Sequence, residues 1–308
     1  MDDADAVSVL RLLLAKSPMN KPLVHFCTLI LTLALAATAA AALSTKEFAV
    51  AINQAGRQRM LSQKMSKEFT LICLQLDAAG NRAEMVKTIK LFDSTLVRLQ
   101  QGDADVSVPA PPTPEIAAQL TTVKSIWAPF RAAIERALTS EAVPRTTMQF
   151  VAQESVHLVG EMDKAVTLYE KACAAAGFQG TGAVVNVAGR QRMLSQRMSK
   201  DIFLLALGVD AEGTRADLKK MRDLFERSLK GLMDGDATMN LPPTTNKTIR
   251  TQLASAAEIW SHFAGKVDRV LATPAAPAPD LLSEIAELNP RLLAECQKVV
   301  GSYETATY

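Results

Sequence analysis

Ala55-Gly56-Arg57-Gln58-Arg59-Met60-Leu61-Ser62-Gln63-Lys64-Met65-Ser66-Lys67-Glu68 returns 133 residues later as Ala188-Gly189-Arg190-Gln191-Arg192-Met193-Leu194-Ser195-Gln196-Arg197-Met198-Ser199-Lys200-Asp201. Twelve of the fourteen positions are identical, and the other two are charge-conserving swaps. The offset persists outside the motif: Phe92 matches Phe225, Gly102-Asp103 matches Gly235-Asp236, Trp127 matches Trp260 and Phe130 matches Phe263. Tyr169 matches Tyr303 after a one-residue slip. The chain is therefore two copies of one unit, and such a period takes precedence over any local reading. The copies have drifted apart except at the motif, so the motif carries a constraint beyond ordinary packing.

A chain of 308 residues fits two domains of roughly 150 residues each, which agrees with the repeat. Each is long enough to bury a core without disulfide staples. The formal net charge of +2 points to no polyanionic partner, so a nucleic-acid role is not implied. Ala, Leu, Met, Glu, Gln, Lys and Arg dominate over aromatics, which favours helix. Cysteines stand at 27, 73, 173 and 296, without Cys-x-x-Cys spacing, and are read as small buried thiols.

Residues 1–43 read as a leader. Lys21, the apolar run from Leu23 to Leu43 and the small residues Ala39 to Ala42 follow the order of a secretory signal, with a mature start near Leu43. A start at Met19 would give a more ordinary signal. The alternative is an uncleaved anchor over residues 23–43, since about 20 apolar residues suffice to span a bilayer. Either way the rest is expected outside the cytoplasm, periplasmic or secreted, or anchored to the inner membrane. Ser44-x-x-Glu47 reads as a capping box opening a long helix that Asp77-Ala-Ala-Gly80 closes. Further helices are expected over about 82–101, 115–139 and 146–176, with a Pro-rich crossover at 106–113. The second copy repeats the order, and Pro290 is expected to kink its last helix. The predicted fold is all-α: two tandem antiparallel four-helix bundles, 44–176 and 177–308, after the N-terminal signal or anchor.

At about 100° per residue, Leu61, Met65, Phe69, Ile72 and Leu76 share one arc, the core of the first bundle. Ile52, Ala55, Gly56, Arg59, Gln63 and Ser66 lie opposite, as do Val185, Ala188, Gly189, Arg192, Gln196 and Ser199 in the second copy. Small residues around a single Arg suit a second contact face. If the two faces meet, Arg59 and Arg192 repel across a pseudo-two-fold axis, and an anion between them relieves the repulsion. Gln63, Gln196, Ser62 and Ser195 are candidate neutral donors beside it, with Gly56 and Gly189 giving close approach. Periodicity alone equally allows Arg59 to pair with Glu68 or another carboxylate, or to snorkel to solvent. Lys64, Lys67 and Arg57 read as surface charges. Met60, Met65, Trp127 and Trp260 read as core.

The run Ile52-Asn53-x-Ala55-Gly56-Arg57-Gln58-Arg59-Met60-Leu61-Ser62-Gln63 resembles the signature of the type IV pili methyl-accepting chemotaxis transducer N-terminal family, the PilJ-type domain. It is also similar to the periplasmic motif of the NarX-like nitrate/nitrite sensor kinases. The resemblance implies extracytoplasmic four-helix bundles in which an Arg from each motif holds an anion at a bundle interface. Aligned on Ala-Gly-x-x-Arg-Met, those positions are Arg59 and Arg192. The middle residues Arg57-Gln58 follow the pilus-type pattern, so nitrate is one candidate ligand among oxyanions.

Two functions fit. One is a sensory protein binding a small anion and passing its state to a membrane sensor or a second copy of itself. The other is an envelope interaction module whose motif serves helix pairing only. The first expects the arginines to face each other across a small polar gap and to act equally. The second expects both to be paired with carboxylates. Neither reading is enzymatic or needs a cofactor: His157 and His262 fit no triad or metal spacing, and no Gly-rich phosphate loop is visible.

Overall fold

A computed structural model of the chain describes residues 43–178 and 180–306. The expected signal or anchor lies outside the described residues. Eight α-helices follow in order: α1 (Thr45–Cys73), α2 (Ala78–Gln101), α3 (Pro114–Thr139), α4 (Arg145–Ala175), α5 (Thr181–Ala206), α6 (Ala211–Asp234), α7 (Lys247–Leu271) and α8 (Pro279–Thr305). Among the described residues there is no strand, only two isolated bridges at matching points of the repeat, Asp103 with Val108 and Asp236 with Leu241. No described helix is long and apolar enough to cross a membrane.

Local chemistry sets most helix starts. Ser44 and Glu47 form the capping box at α1, and Thr113 caps α3 ahead of Pro114. The Asp-x-x-Gly segments behave differently from the sequence reading. α1 already ends at Cys73, and Asp77 is the N-cap of α2, its carboxylate accepting from the Gly80 N–H. Asp210 does the same for α6 through Gly213. Both Asp residues sit at positive φ, 43° and 40°, a conformation that Asp tolerates better than most residues. The second helix therefore begins at Ala78, not near Arg82. α8 contains Pro290 and continues on both sides of it.

Each copy closes into a ring. α1 packs on α2 and α4, and α3 packs on both of those; α5, α6, α7 and α8 repeat the pattern. Phe92 packs tilted against Trp127 at 4.2 Å, and Phe225 stacks on Trp260 at 4.1 Å, so both tryptophans anchor their cores as expected. Cys173 and Cys296 are buried thiols, and Cys73 is half-buried.

The two rings share a seam. The most extensive helix pairing in the molecule is α1 against α5, the two motif helices, with α4 against α5 and α8 against α1 beside it. Twenty-one of the 29 residues of α1 are buried, against seven of 24 in α2. The motif is polar yet inaccessible because its buried side chains find hydrogen-bond partners within the protein in place of water. Met60, Met65, Met193 and Met198 are core residues, as read from the sequence.

Candidate functional site

Arg59 and Arg192 meet in the α1–α5 seam. Arg59 is fully buried and Arg192 is 3% exposed. A Cβ built on Gly56 would lie 3.3 Å from Arg59 Nη2 and 3.7 Å from Arg192 Nη2. One on Gly189 would lie 3.2 Å from Arg192 Nη2 and 3.9 Å from Arg59 Nη2. Both guanidinium groups thus crowd one gap, and the two glycines exist to make room for them.

Each arginine reaches across the seam to the other copy. Arg59 Nη2 donates to Asn186 Oδ1 at 2.8 Å and to Asn186 O at 3.3 Å. Arg192 Nη2 donates to Asn53 Oδ1 at 2.7 Å and to Asn53 O at 3.3 Å. The asparagines are held in turn: Asn186 Nδ2 donates to Glu170 Oε2 at 2.6 Å, and Asn53 Nδ2 donates to Glu304 Oε2. The network repeats in both copies.

One element breaks the symmetry. Arg59 Nη1 forms an ion pair with Asp163 Oδ1 on α4, whose side chain is half exposed. Among the described residues Arg192 forms no ion pair; its Nε donates only to Gly189 O, at 3.5 Å. Burial pulls the Arg59 guanidinium below its ordinary range, with Asp163 acting against that fall. Burial, then repulsion from Arg57 and Arg59, lowers Arg192 to about 9. The two arginines are therefore held by unequal partners, and the carboxylate that pairs with Arg59 is Asp163, not Glu68.

The other candidate residues lie one turn along the helices. Ser62 and Ser195 donate to the carbonyls of Arg59 and Arg192, each at 2.8 Å. Gln63 Nε2 donates to Ser155 O at 2.9 Å, and Gln196 Nε2 to Ser195 Oγ at 3.2 Å. Their Oε1 atoms are buried without a partner. Of these four only Gln63 ties its helix to another, α4; the donors of the other three are engaged within their own helices. Asn53, Asn186, Asp163, Glu170 and Glu304 were given no role from sequence. Asn53 and Asn186 sit at the repeat offset and were within reach of it; Asp163 is 104 residues from Arg59 and had no local signal.

Lys67 is a second correction. It is buried, not a surface charge, because α8 covers the outer face of α1. Its ammonium donates to Asn289 Oδ1 at 2.9 Å beside Glu68, at the edge of a cavity of about 500 Å³. Lys200 is buried likewise, 3.1 Å from Asp201. Burial lowers Lys67 to about 8 from 10.5, a penalty of roughly 3 kcal/mol while both folded and unfolded chains are protonated. A base depressed in the fold penalises the protein fully below the folded pKa and not at all above the unfolded one. Wild-type stability, measured against Lys67→Met, is therefore expected to rise between pH 8 and 10.5. Urea unfolding of both proteins across that interval measures the difference; a constant gap would mean that Lys67 is not desolvated.

Two four-helix rings joined through a repeated motif helix, with an arginine pair at the join, define a tandem helical-bundle domain protein. A family model described as type IV pili methyl-accepting chemotaxis transducer N-term matches residues 42–151 and again 175–284. The chain belongs to that family and carries its domain twice. Among its relatives, Protein PilJ of Pseudomonas aeruginosa is 27% identical over 268 residues, covering 82% of this chain and 37% of that protein. The methyl-accepting chemotaxis protein McpN of the same organism is 34% identical over 117 residues, covering 38% of this chain and 21% of that protein. The matched regions thus span well under half the length of both relatives. Among solved structures, the ligand-binding domain of the P. aeruginosa nitrate receptor McpN shares 34% identity, covers 38% of this chain and 90% of that one, and superposes with a TM-score of 0.35.

Proposed function

We propose that this chain is an extracytoplasmic sensory module that binds a small oxyanion of the nitrate or nitrite type where α1 meets α5, with Arg59 and Arg192 as the ligand-facing cations. The observation that carries the reading is Arg192: a buried guanidinium beside a second one, without a carboxylate of its own. Guanidinium offers a flat fork of donors suited to planar oxyanions, and two such cations in a desolvated gap favour an anion more than either does alone. The sequence match to McpN, whose ligand-binding domain is that of a nitrate receptor, supports the class of ligand. Gly56 and Gly189 give the approach, Gln63 ties α1 to α4, and Ser62, Ser195 and Gln196 bond within the motif helices beside the arginines. The module hands its occupied state to a membrane sensor or to a second copy of itself, with no catalytic step; one relative, McpN, is named as a methyl-accepting chemotaxis protein.

The rival reading, helix pairing alone, draws on the Arg59–Asp163 pair and the Asn186 and Asn53 contacts, which knit the seam without a ligand. Thermal unfolding separates the two. Nitrate at a hundred times its Kd is expected to stabilise the wild-type protein by about 2.7 kcal/mol. Arg192→Ala is expected to remove that gain, and Arg192→Lys to weaken it, because an ammonium cannot present the fork. Equal melting temperatures with and without nitrate, nitrite and related oxyanions in the wild type would leave helix pairing as the function of the motif.

A further inference from the structure

The copies differ where the second carboxylate should stand. Tyr169 matches Tyr303, and Glu170 matches Glu304 because each accepts from the motif asparagine opposite. In that register Asp163 matches Gln297. The remaining charges around the gap balance. Arg190 and Glu170 act on Arg59, and Arg57 and Glu304 act on Arg192, one cation and one anion on each side; the Cys296 thiol beside Arg192, pushed up to about 12 by burial, stays neutral. What is left is Arg59, Arg192 and Asp163, a net charge of +1.

We propose that Asp163 is a built-in counter-anion that occupies one of the two seam arginines, so that the site takes a single monovalent oxyanion, seated on Arg192, and discriminates against dianions. The proposal rests on the anion-binding reading above and adds its stoichiometry, its charge selectivity and the residue that sets them. A monoanion brings the three-charge group to neutrality. A dianion such as sulfate overshoots it and leaves an uncompensated negative charge against the buried guanidinium of Arg192, which is costly away from water. The Arg59 fork already spends Nη1 on Asp163 and Nη2 on Asn186, which leaves only Nε without a partner. Arg192 has no such carboxylate among the described residues: the matching Gln297 is neutral and its side chain is exposed.

The test uses nitrate and sulfate as probes on the wild type, Asp163→Asn, Gln297→Asp and the double exchange Asp163→Gln with Gln297→Asp. Binding is followed by calorimetry and thermal shift at one ionic strength. The wild type is expected to bind one nitrate per chain and to show little response to sulfate. Asp163→Asn should bind nitrate about tenfold more tightly or better and gain sulfate binding, as removal of one negative charge beside the site implies. Gln297→Asp should lose nitrate binding by about as much, because both arginines are then paired. The double exchange should recover it on Arg59. The exchange also controls for folding, since it preserves the charge count. If the wild type binds nitrate but Asp163→Asn neither tightens it nor admits sulfate, or Gln297→Asp binds as the wild type does, the counter-anion proposal is wrong while anion binding stands. If neither the wild type nor Asp163→Asn responds to either anion, the site reading itself fails.

Discussion

Gly56→Val is expected to lower the unfolding free energy by about 3–5 kcal/mol, and Gly189→Val by a similar amount. The cause is space, not backbone conformation. Neither glycine adopts positive φ. Even a single Cβ at Gly56 would sit 3.3 Å from the Arg59 guanidinium, and at Gly189 one would sit 3.2 Å from that of Arg192. A flexible arginine would usually swing aside. Here the guanidinium groups are tied to Asn186, Asp163 and Asn53, and leaving the gap breaks those bonds while the charge stays buried. Ala at either position should cost less, since one methyl group demands a shift of only tenths of an ångström. Chemical denaturation of the four variants reads this directly. Val variants as stable as the wild type would show that the arginines are not held over the glycines.

Phe92→Ala carries the other large effect, about 3–5 kcal/mol. Phe92 is fully buried, its ring lies 4.2 Å from that of Trp127, and its carbonyl accepts from Gln58 of the motif at 2.8 Å. Removing the ring empties the centre of the first bundle and loosens the α2 anchor of the motif helix. Because α1 is also the chief partner of α5, the loss should spread to the second bundle. The expected result is one cooperative transition shifted down by on the order of 10 °C. Calorimetry checks it: two resolved transitions, with only one displaced, would mean that the bundles melt independently.

The repeat, the all-helical class and the core arcs were legible because they depend on period and composition. Leu61, Met65 and Phe69 lie where a 3.6-residue period puts them. Asp77 was misread because Asp-x-x-Gly between two helices reads as a stop or as a start, and only the carboxylate contact to Gly80 decides it. Lys67 was misread for a different reason. The period of one bundle identifies an outer face, but not that α8 of the other bundle covers it. The small, polar face around Arg59 did announce a contact surface, and α5 is what lies against it. The partner of Arg59 was illegible: Asp163 comes from the middle of a different helix, distant in sequence, and nothing local marks it.

The short link from Ala175 to Thr181 has a thermodynamic consequence. When two separate chains supply the halves of an interface, dilution pulls the halves apart, and ligand occupancy depends on how much protein is present. Here the second half arrives at a tethered effective concentration that short linkers typically set in the millimolar range. The α1–α5 seam is then assembled regardless of expression level, and the affinity of the anion site proposed there would be a property of the molecule alone. The tether also frees the two halves to mutate separately, which a pair of identical chains cannot do. An unequal pair such as Asp163 and Gln297 is open to this architecture and closed to a homodimer.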